Sequence, residues 1–209
     1  EQEIPENESG GQPAEIERIP ASEIQEIAET EKTADGVVEP IPESERVAAI
    51  GNKYYKTLAA AVKEAASGDT ITILNDVDEA PGISVPSGKE FTIDFDGHTY
   101  TLSNPGAGST GTETNGFQLL QGSNITFKNG TIRISDKNGS VGSGNPIGRI
   151  IQNYANLTLE NMQIYAENQA GGEDYALSFN CGDIVFKGDT SIYVTDPENT
   201  IVFDICKFS

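Results

Sequence analysis

From Thr70 onward the chain alternates apolar and polar residues in short runs broken by Gly, Asn, Asp and Ser. Period-2 runs rich in Ile, Thr, Phe and Val, bounded by turn residues, predict β-strands. The runs also recur. Ile93-Asp94-Phe95-Asp96 is followed by Ile125-Thr126-Phe127-Lys128, then Leu157-Thr158-Leu159-Glu160, then Ile184-Val185-Phe186-Lys187, at offsets of 32, 32 and 27 residues. Ile71-Thr72-Ile73-Leu74 lies 22 residues before the first of these. Repeats of this length, with one strand set each, predict a solenoid of stacked strands. Alternate side chains of a strand point to opposite faces. Parallel stacking therefore predicts two inward columns, Ile71/Ile93/Ile125/Leu157/Ile184 and Ile73/Phe95/Phe127/Leu159/Phe186. The outward column Asp96/Lys128/Glu160/Lys187 alternates in sign, which adjacent strands favour by roughly 0.2–1 kcal/mol per pair. Beyond the core runs, Tyr100 and Leu102 align with Ile132 and Ile134, and Gln118 and Leu119 with Ile150 and Ile151.

Two polar columns flank the turns: Asn124/Asn156/Asp183, and Gln121/Asn153/Asn180. Stacked Asn side chains hydrogen-bond to one another and tolerate left-handed turn backbone, so both are expected as structural ladders. The Asn-x-Thr/Ser triplets at Asn124, Asn129, Asn138 and Asn156 fit the same need for Asn in turns and Thr in strands. Ahead of the first strand, residues 57–66 predict a helix. Thr57 is its N-cap, and Leu58, Ala61, Val62 and Ala65 share one face. Gly68 suits its C′ position. The apolar face of this helix would plug the open end of the stack.

Residues 1–46 break the pattern. They hold 14 acidic and 3 basic residues and no Phe, Tyr, Trp, Leu or Met. Such a segment cannot bury enough apolar surface to offset the entropy of ordering, and reads as a disordered acidic Glu/Pro-rich linker. The folded part begins near Val47 and runs to Ser209. The linker is expected to tether it to a cell envelope.

The formal charge of −20 excludes a nucleic-acid binder, which needs clustered Lys and Arg against phosphate. No run of 18 apolar residues is present, so no membrane insertion is predicted. The same acidity repels polyuronates and sulfated glycans, leaving neutral glycans or a surface protein as expected partners. Cys181 and Cys206 are 25 residues apart, about one repeat, which brings the thiols near each other without aligning them.

The segment Tyr54-Tyr55-Lys56-Thr57-Leu58-Ala59-Ala60-Ala61-Val62-Lys63-Glu64-Ala65-Ala66-Ser67-Gly68-Asp69-Thr70-Ile71-Thr72-Ile73 resembles the opening of right-handed parallel β-helices of the pectate-lyase-like superfamily. There an amphipathic helix leads through Gly-Asp-Thr-Ile into the first turn of the solenoid. Val47–Tyr54 is similar to the strand that starts such domains in surface proteins of Gram-positive bacteria. The resemblance implies an all-β parallel β-helix solenoid with an N-terminal capping helix, secreted or displayed on a bacterial cell surface. It covers residues 47–209. The last run, Thr200–Ser209, reads as a strand without a cap, so the solenoid is expected to be truncated at this end.

The superfamily's lyases use Ca²⁺ on outward carboxylates with an Arg or Lys base. Asp94 and Asp96 are the weak candidates here for such a metal, but two carboxylates fall short of the set Ca²⁺ prefers, so no metal or other cofactor is predicted. The superfamily's hydrolases would need Asn-Thr-Asp, Asp-Asp, Gly-His-Gly and Arg-Ile-Lys motifs, and none occurs. The one histidine, His98, follows Asp96-Gly97 in an expected turn. No catalytic residue is assigned.

Three long loops, 103–116, 135–148 and 166–174, occupy equivalent places in successive repeats and should stack into a binding face. Its candidate ligand residues are Glu113, Asp136, Lys137, Arg149, Glu173, Asp174 and Tyr175. The expected function is a non-catalytic extracellular β-helix module, a surface scaffold or an adhesin-like binder of glycan or protein. The alternatives are the N-terminal part of a polysaccharide lyase or glycoside hydrolase whose catalytic repeats lie beyond Ser209, and a phage-tailspike-like fibre.

Overall fold

The computed structural model describes residues 40–106, 114–140, 145–169 and 174–206. Residues 1–39 of the expected linker lie outside these. A single 3₁₀ turn, Glu43–Glu45, precedes the first hairpin. Strands β1 (Ala48–Ile50) and β2 (Lys53–Tyr55) reverse through Gly51, whose φ of +56° suits a residue without Cβ. Helix α1 (Leu58–Glu64) starts where predicted: the Thr57 hydroxyl accepts the Ala60 N–H at 3.1 Å. Leu58, Ala61 and Val62 are buried.

The helix ends earlier than its apolar periodicity suggests. Ala65 has already left helical backbone, at ψ 126°, and Ala66 N–H donates to the Asp69 carboxylate at 2.8 Å. Gly68, at φ +84°, is therefore not the helix terminator but part of the turn into β3 (Asp69–Ile73).

The chain continues through β4 (Val77–Pro81), β5 (Ile83–Val85), β6 (Glu90–Asp94), β7 (Thr99–Asn104), β8 (Asn115–Leu119), β9 (Asn124–Ile134) and β10 (Arg149–Asn153). It ends with β11 (Asn156–Ala166), β12 (Asp174–Asn180), β13 (Asp183–Lys187), β14 (Ser191–Val194) and β15 (Thr200–Cys206). The all-β expectation holds: strands dominate, and α1 is the one α-helix among the described residues. A ten-stranded sheet has the spine β13-β11-β9-β6-β3-β1-β2, with β14 on β11, β7 on β9 and β4 on β7. A five-stranded sheet runs β15-β12-β10-β8-β5. Every pairing is parallel except those of β1 with β2 and β3.

The two sheets share one apolar core. Phe127 of the large sheet meets Phe117 of the small one edge-on, with ring centroids 5.1 Å apart, and Phe95 at 5.9 Å. Ile71, Ile73, Ile93, Leu119, Ile132 and Leu159 are fully buried around them. Each such side chain contributes about 1.5–3 kcal/mol.

The register agrees with the sequence repeat at three of its four steps. Ile71 faces Ile93, Ile125 faces Leu157, and Leu157 faces Ile184. At the fourth, Phe91 faces Ile125 and Ile93 faces Phe127, an offset of 34 rather than 32. A slip of two keeps every side chain on its face, so hydrophobic alternation alone cannot detect it. The turn marks it instead: Asp96 and Gly97, at φ +49° and +85°, leave the strand, so Asp94 and not Asp96 meets Lys128. Asp94 opposes Lys128 and pairs with it at 3.0 Å, and Asn124 N–H donates to Lys89 carbonyl at 2.8 Å. The alternating column thus begins at Asp94 and not at Asp96. Asp96, at φ +49°, turns with Gly97 ahead of β7. Those extra turn residues restore the 32-residue offset, and Tyr100 faces Ile132 as predicted.

Of the two polar columns, the first is a ladder: Asn124, Asn156 and Asp183 are in register, and Asn156 Nδ2 donates to Asn124 Oδ1 at 2.7 Å. The second is not. Asn153 lies opposite Leu119 and Phe179, because the small sheet also runs at an offset of 34 between β8 and β10. There it clamps its own turn, donating to Ala155 carbonyl at 2.9 Å and accepting from Ala155 N–H at 3.0 Å. Another ladder takes its place. Asn129 and Asn161, at φ +58° and +52°, are linked by Asn161 Nδ2 donating to Asn129 Oδ1 at 3.2 Å. Cys181 and Cys206 form no disulfide, and Cys206 is in register with Asn180, an offset of 26.

Candidate functional site

Outward residues of β7, β9, β11 and β14 form two lateral columns. The first reads Thr99, Thr131, Gln163, Ser191, and the second Thr101, Arg133, Tyr165, Tyr193. Strand spacing near 4.8 Å puts successive side chains in contact. The Arg133 guanidinium lies 4.7 Å above the Tyr165 ring, and Tyr165 stacks on Tyr193 with centroids 4.7 Å apart and planes 16° apart. Tyr193, 45% exposed, ends the stack.

Beside this stack runs an open groove of about 550 Å³. Asp76, Asp78, Glu79, Asp136 and Glu167 line it together with the cations Arg133 and Lys137. Its cations are held. Arg133 Nε and Nη2 donate to the two Glu167 oxygens at 2.7 and 3.1 Å, which raises the guanidinium pKa. Lys137 pairs with Glu79, which raises the lysine likewise. Asp76 accepts the Thr99 N–H at 2.9 Å and lies 3.2 Å from His98 Nδ1. The backbone bond first, and His98 second, hold its carboxyl below the ordinary Asp range. The groove is therefore acidic, with fixed guanidinium geometry, and Arg133 links it to the tyrosine stack.

The loop residues named from the sequence separate into two places. Asp136 and Lys137 line this groove. Arg149, Asp174 and Tyr175 sit at the start of β10 and β12 in the small sheet. There Arg149 lies 4.8 Å over the Tyr175 ring and its Nη1 donates to Thr114 Oγ1 at 3.4 Å. Asp174 is buried, a poor position for meeting a ligand. Glu113 and Glu173 lie outside the described residues. The loops do stack where they are described: Asn138 Nδ2 donates to Asn168 carbonyl at 2.8 Å, and Gly139 N–H to Ser103 carbonyl at 3.3 Å. The Asp94 carboxylate is taken up by Lys128, Asn129 and the Asp96 N–H, and Asp96 lies in the turn. Among the described residues no group of three or more His, Cys, Asp or Glu is arranged to hold a metal ion.

Thr101, Gln163, Glu167 and Tyr193 were not legible as site residues. The signal was present: the same 32-residue offset, carried past Ile132, places Tyr165 beside Arg133. A second hollow, of about 580 Å³, lies where β8, β10 and β12 end, lined by Gln118, Leu120, Tyr154 and Cys181 among others. It carries no charged side chain. No protein-family model, curated protein or solved structure matches this chain.

Proposed function

We propose that the chain is a right-handed parallel β-helix of the pectate-lyase-like kind, acting without catalysis as an extracellular binding module for neutral glycans. Support for the solenoid is the order of pairing. Strands β3, β6, β9, β11 and β13 pair in parallel in one sheet, and β5, β8, β10, β12 and β15 in the other. The chain alternates between the sheets, as successive coils of one helix would. Support for the module's placement on a bacterial surface is the acidic Glu/Pro-rich linker and the resemblance of its opening segment.

The observation that carries the binding reading is the Arg133–Tyr165–Tyr193 stack beside a groove of hydroxyl, amide and carboxylate groups. An exposed aromatic face takes the C–H face of a sugar, and the flanking polar groups take its hydroxyls. The acidic lining disfavours anionic sugars, and its two cations are already paired with carboxylates. A catalytic reading would call for a groove carboxyl held protonated, whereas the Thr99 N–H and His98 hold the Asp76 carboxyl below its ordinary range.

A glycan array followed by titration of the best neutral oligosaccharide tests this. Tyr193→Ala should weaken binding about two- to tenfold, from the loss of one aromatic contact of roughly 0.5–1.5 kcal/mol, while leaving the circular dichroism spectrum unchanged. No neutral glycan above background, or equal binding by the variant, would overturn the reading. Release of unsaturated sugars by the protein would replace it with a lyase.

A further inference from the structure

The hollow of about 580 Å³ crosses the ends of β8, β10 and β12 on the flank of the small sheet. The row of strands continues past it, since Cys181 in its wall donates its N–H to Cys206 carbonyl at 2.9 Å and Asn180 is in register with Cys206 of β15. Gln118 lines it. Phe117 and Leu119 on either side are fully buried in the core, so strand alternation turns Gln118 outward. Gln118 is only 9% exposed. Among the described residues its amide has no hydrogen-bond partner, yet it is not sealed off as both amide atoms of Asn115 are. The open space that reaches it is the hollow.

Amides elsewhere in the chain are tied down. Gln152, beside Gln118 in the same column, donates to Ser178 carbonyl at 3.3 Å. Asn156 bonds Asn124, Asn161 bonds Asn129, and Asn138 uses both amide atoms on Ile147 backbone. Around the hollow the opposite holds. The amides of Gln121 and Asn180 and the hydroxyls of Ser87 and Tyr154 join Gln118 there, each without a side-chain partner among the described residues. An amide held out of bulk water without a partner costs free energy, which a ligand offering both a donor and an acceptor recovers.

We infer that this hollow is a second binding site, on the small sheet and away from the Arg133 groove on the large one, and that it takes a neutral sugar. The lining carries no charged side chain, so an ionic ligand finds no ion-pair partner. Its amides and hydroxyls each donate and accept, as every sugar hydroxyl does. Leu120 and Tyr154 supply apolar surface for the C–H face of a pyranose. The volume lies within the roughly 300–1,000 Å³ of small-ligand sites. β8, β10 and β12 are each paired on both sides, so an extended peptide finds no strand edge to join.

Cys181 is exposed and lines the hollow, which makes it a local reporter. Cellobiose, lactose and N,N′-diacetylchitobiose are titrated against the full chain, and iodoacetamide labelling of Cys181 is read by peptide mass spectrometry, which separates it from Cys206. At least one sugar should slow the labelling saturably, with the midpoint that calorimetry gives. Gln118→Met keeps the length of the side chain and removes the amide, and should raise that midpoint about tenfold. Calorimetry of the same pair of proteins reads the effect independently of thiol reactivity. No binding by any of the three up to about 10 mM, binding without protection of Cys181, or equal affinity in Gln118→Met would each overturn the proposal. Protection by acetyl-alanyl-alanine amide in place of the sugars would assign the hollow to a peptide instead. Should Gln118→Met fail to fold, the exposed Gln121→Ala replaces it and should weaken binding severalfold, with no change counting against the site. The groove is tested at Tyr193 and the hollow at Gln118 and Cys181, so failure of one reading is told apart from failure of the other.

Discussion

Phe127 and Phe186 occupy one column by register, both aligned with Leu159. From the repeat alone they are equivalent. In the structure Phe127 is fully buried and touches two other rings, whereas Phe186 is 44% exposed at the sheet edge. Phe127→Ala removes a side chain from a site walled on all sides, so a cavity adds to the lost transfer energy and the cost is about 3–5 kcal/mol. Breaking two aromatic pairs, each about 0.5–1.5 kcal/mol beyond area, places it toward the upper end. Phe186→Ala loses roughly half of a transfer term of 1.5–3 kcal/mol and leaves no enclosed cavity, so about 1 kcal/mol is expected. Equilibrium urea unfolding followed by far-UV circular dichroism, at a concentration where the chain is monomeric, measures both. The Phe127 variant should also lose about 10 °C in Tm. Equal losses for the two variants, or a loss below about 1.5 kcal/mol for Phe127→Ala, would refute the assignment of the core to the interior strands.

Thr57→Ala removes the cap on Ala60 N–H and should cost about 1 kcal/mol by urea unfolding, with Thr57→Ser nearly neutral. Asn161→Ala should cost about 1–2 kcal/mol, since it keeps a Cβ at the left-handed φ of +52° and loses the amide that bonds both Asn129 and the Asp189 N–H; Asn161→Gly, which also removes the Cβ, should cost less than Asn161→Ala in the same assay. Acid sensitivity follows from Asp94. Burial is the largest single influence and raises its pKa, but the Lys128 contact, the Asp96 N–H and the Asn129 amide together outweigh it, so the folded value lies below the ordinary 3.8. A lowered carboxyl stabilises fully above the unfolded value and less as pH falls through the folded one. Asp94→Asn should therefore flatten the loss of stability on the acid side of pH 4, read from Tm against pH, and an unchanged slope would count against the contact.

Much of the strand order was legible because stacked strands repeat their inward residues. Ile71, Ile93, Leu157 and Ile184 announce themselves by spacing, and Thr57 with Leu58, Ala61 and Val62 announces the helix. The helix end was not legible, since Asp69 captures the Ala66 N–H from outside the helix and overrides a favourable apolar pattern. The site was legible only in pieces. Asp136 and Lys137 reach the groove, but Arg149 and Tyr175 belong to the other sheet. Loop position in the repeat says which residues are equivalent, and not which face their strands present.

The sequence by itself determined the all-β class, the capping helix, the side of each strand that is buried and the acidic head segment. These depend on local pattern: a period of two, a capping hydroxyl, a deficit of apolar residues. Tertiary structure decided the rest. A two-residue shift between β6 and β9 preserves every buried face and sets an Asp opposite Lys128 in either register, so the strand pattern could not choose between them, and the left-handed turn at Asp96 and Gly97 shows which one is taken. The Arg133–Tyr165–Tyr193 stack and the exposed Phe186 and Phe203 likewise depend on which strands lie beside which, and on which strands edge the sheets among the described residues. Contacts between residues about 30 apart carry that information, and a single strand's pattern does not contain it.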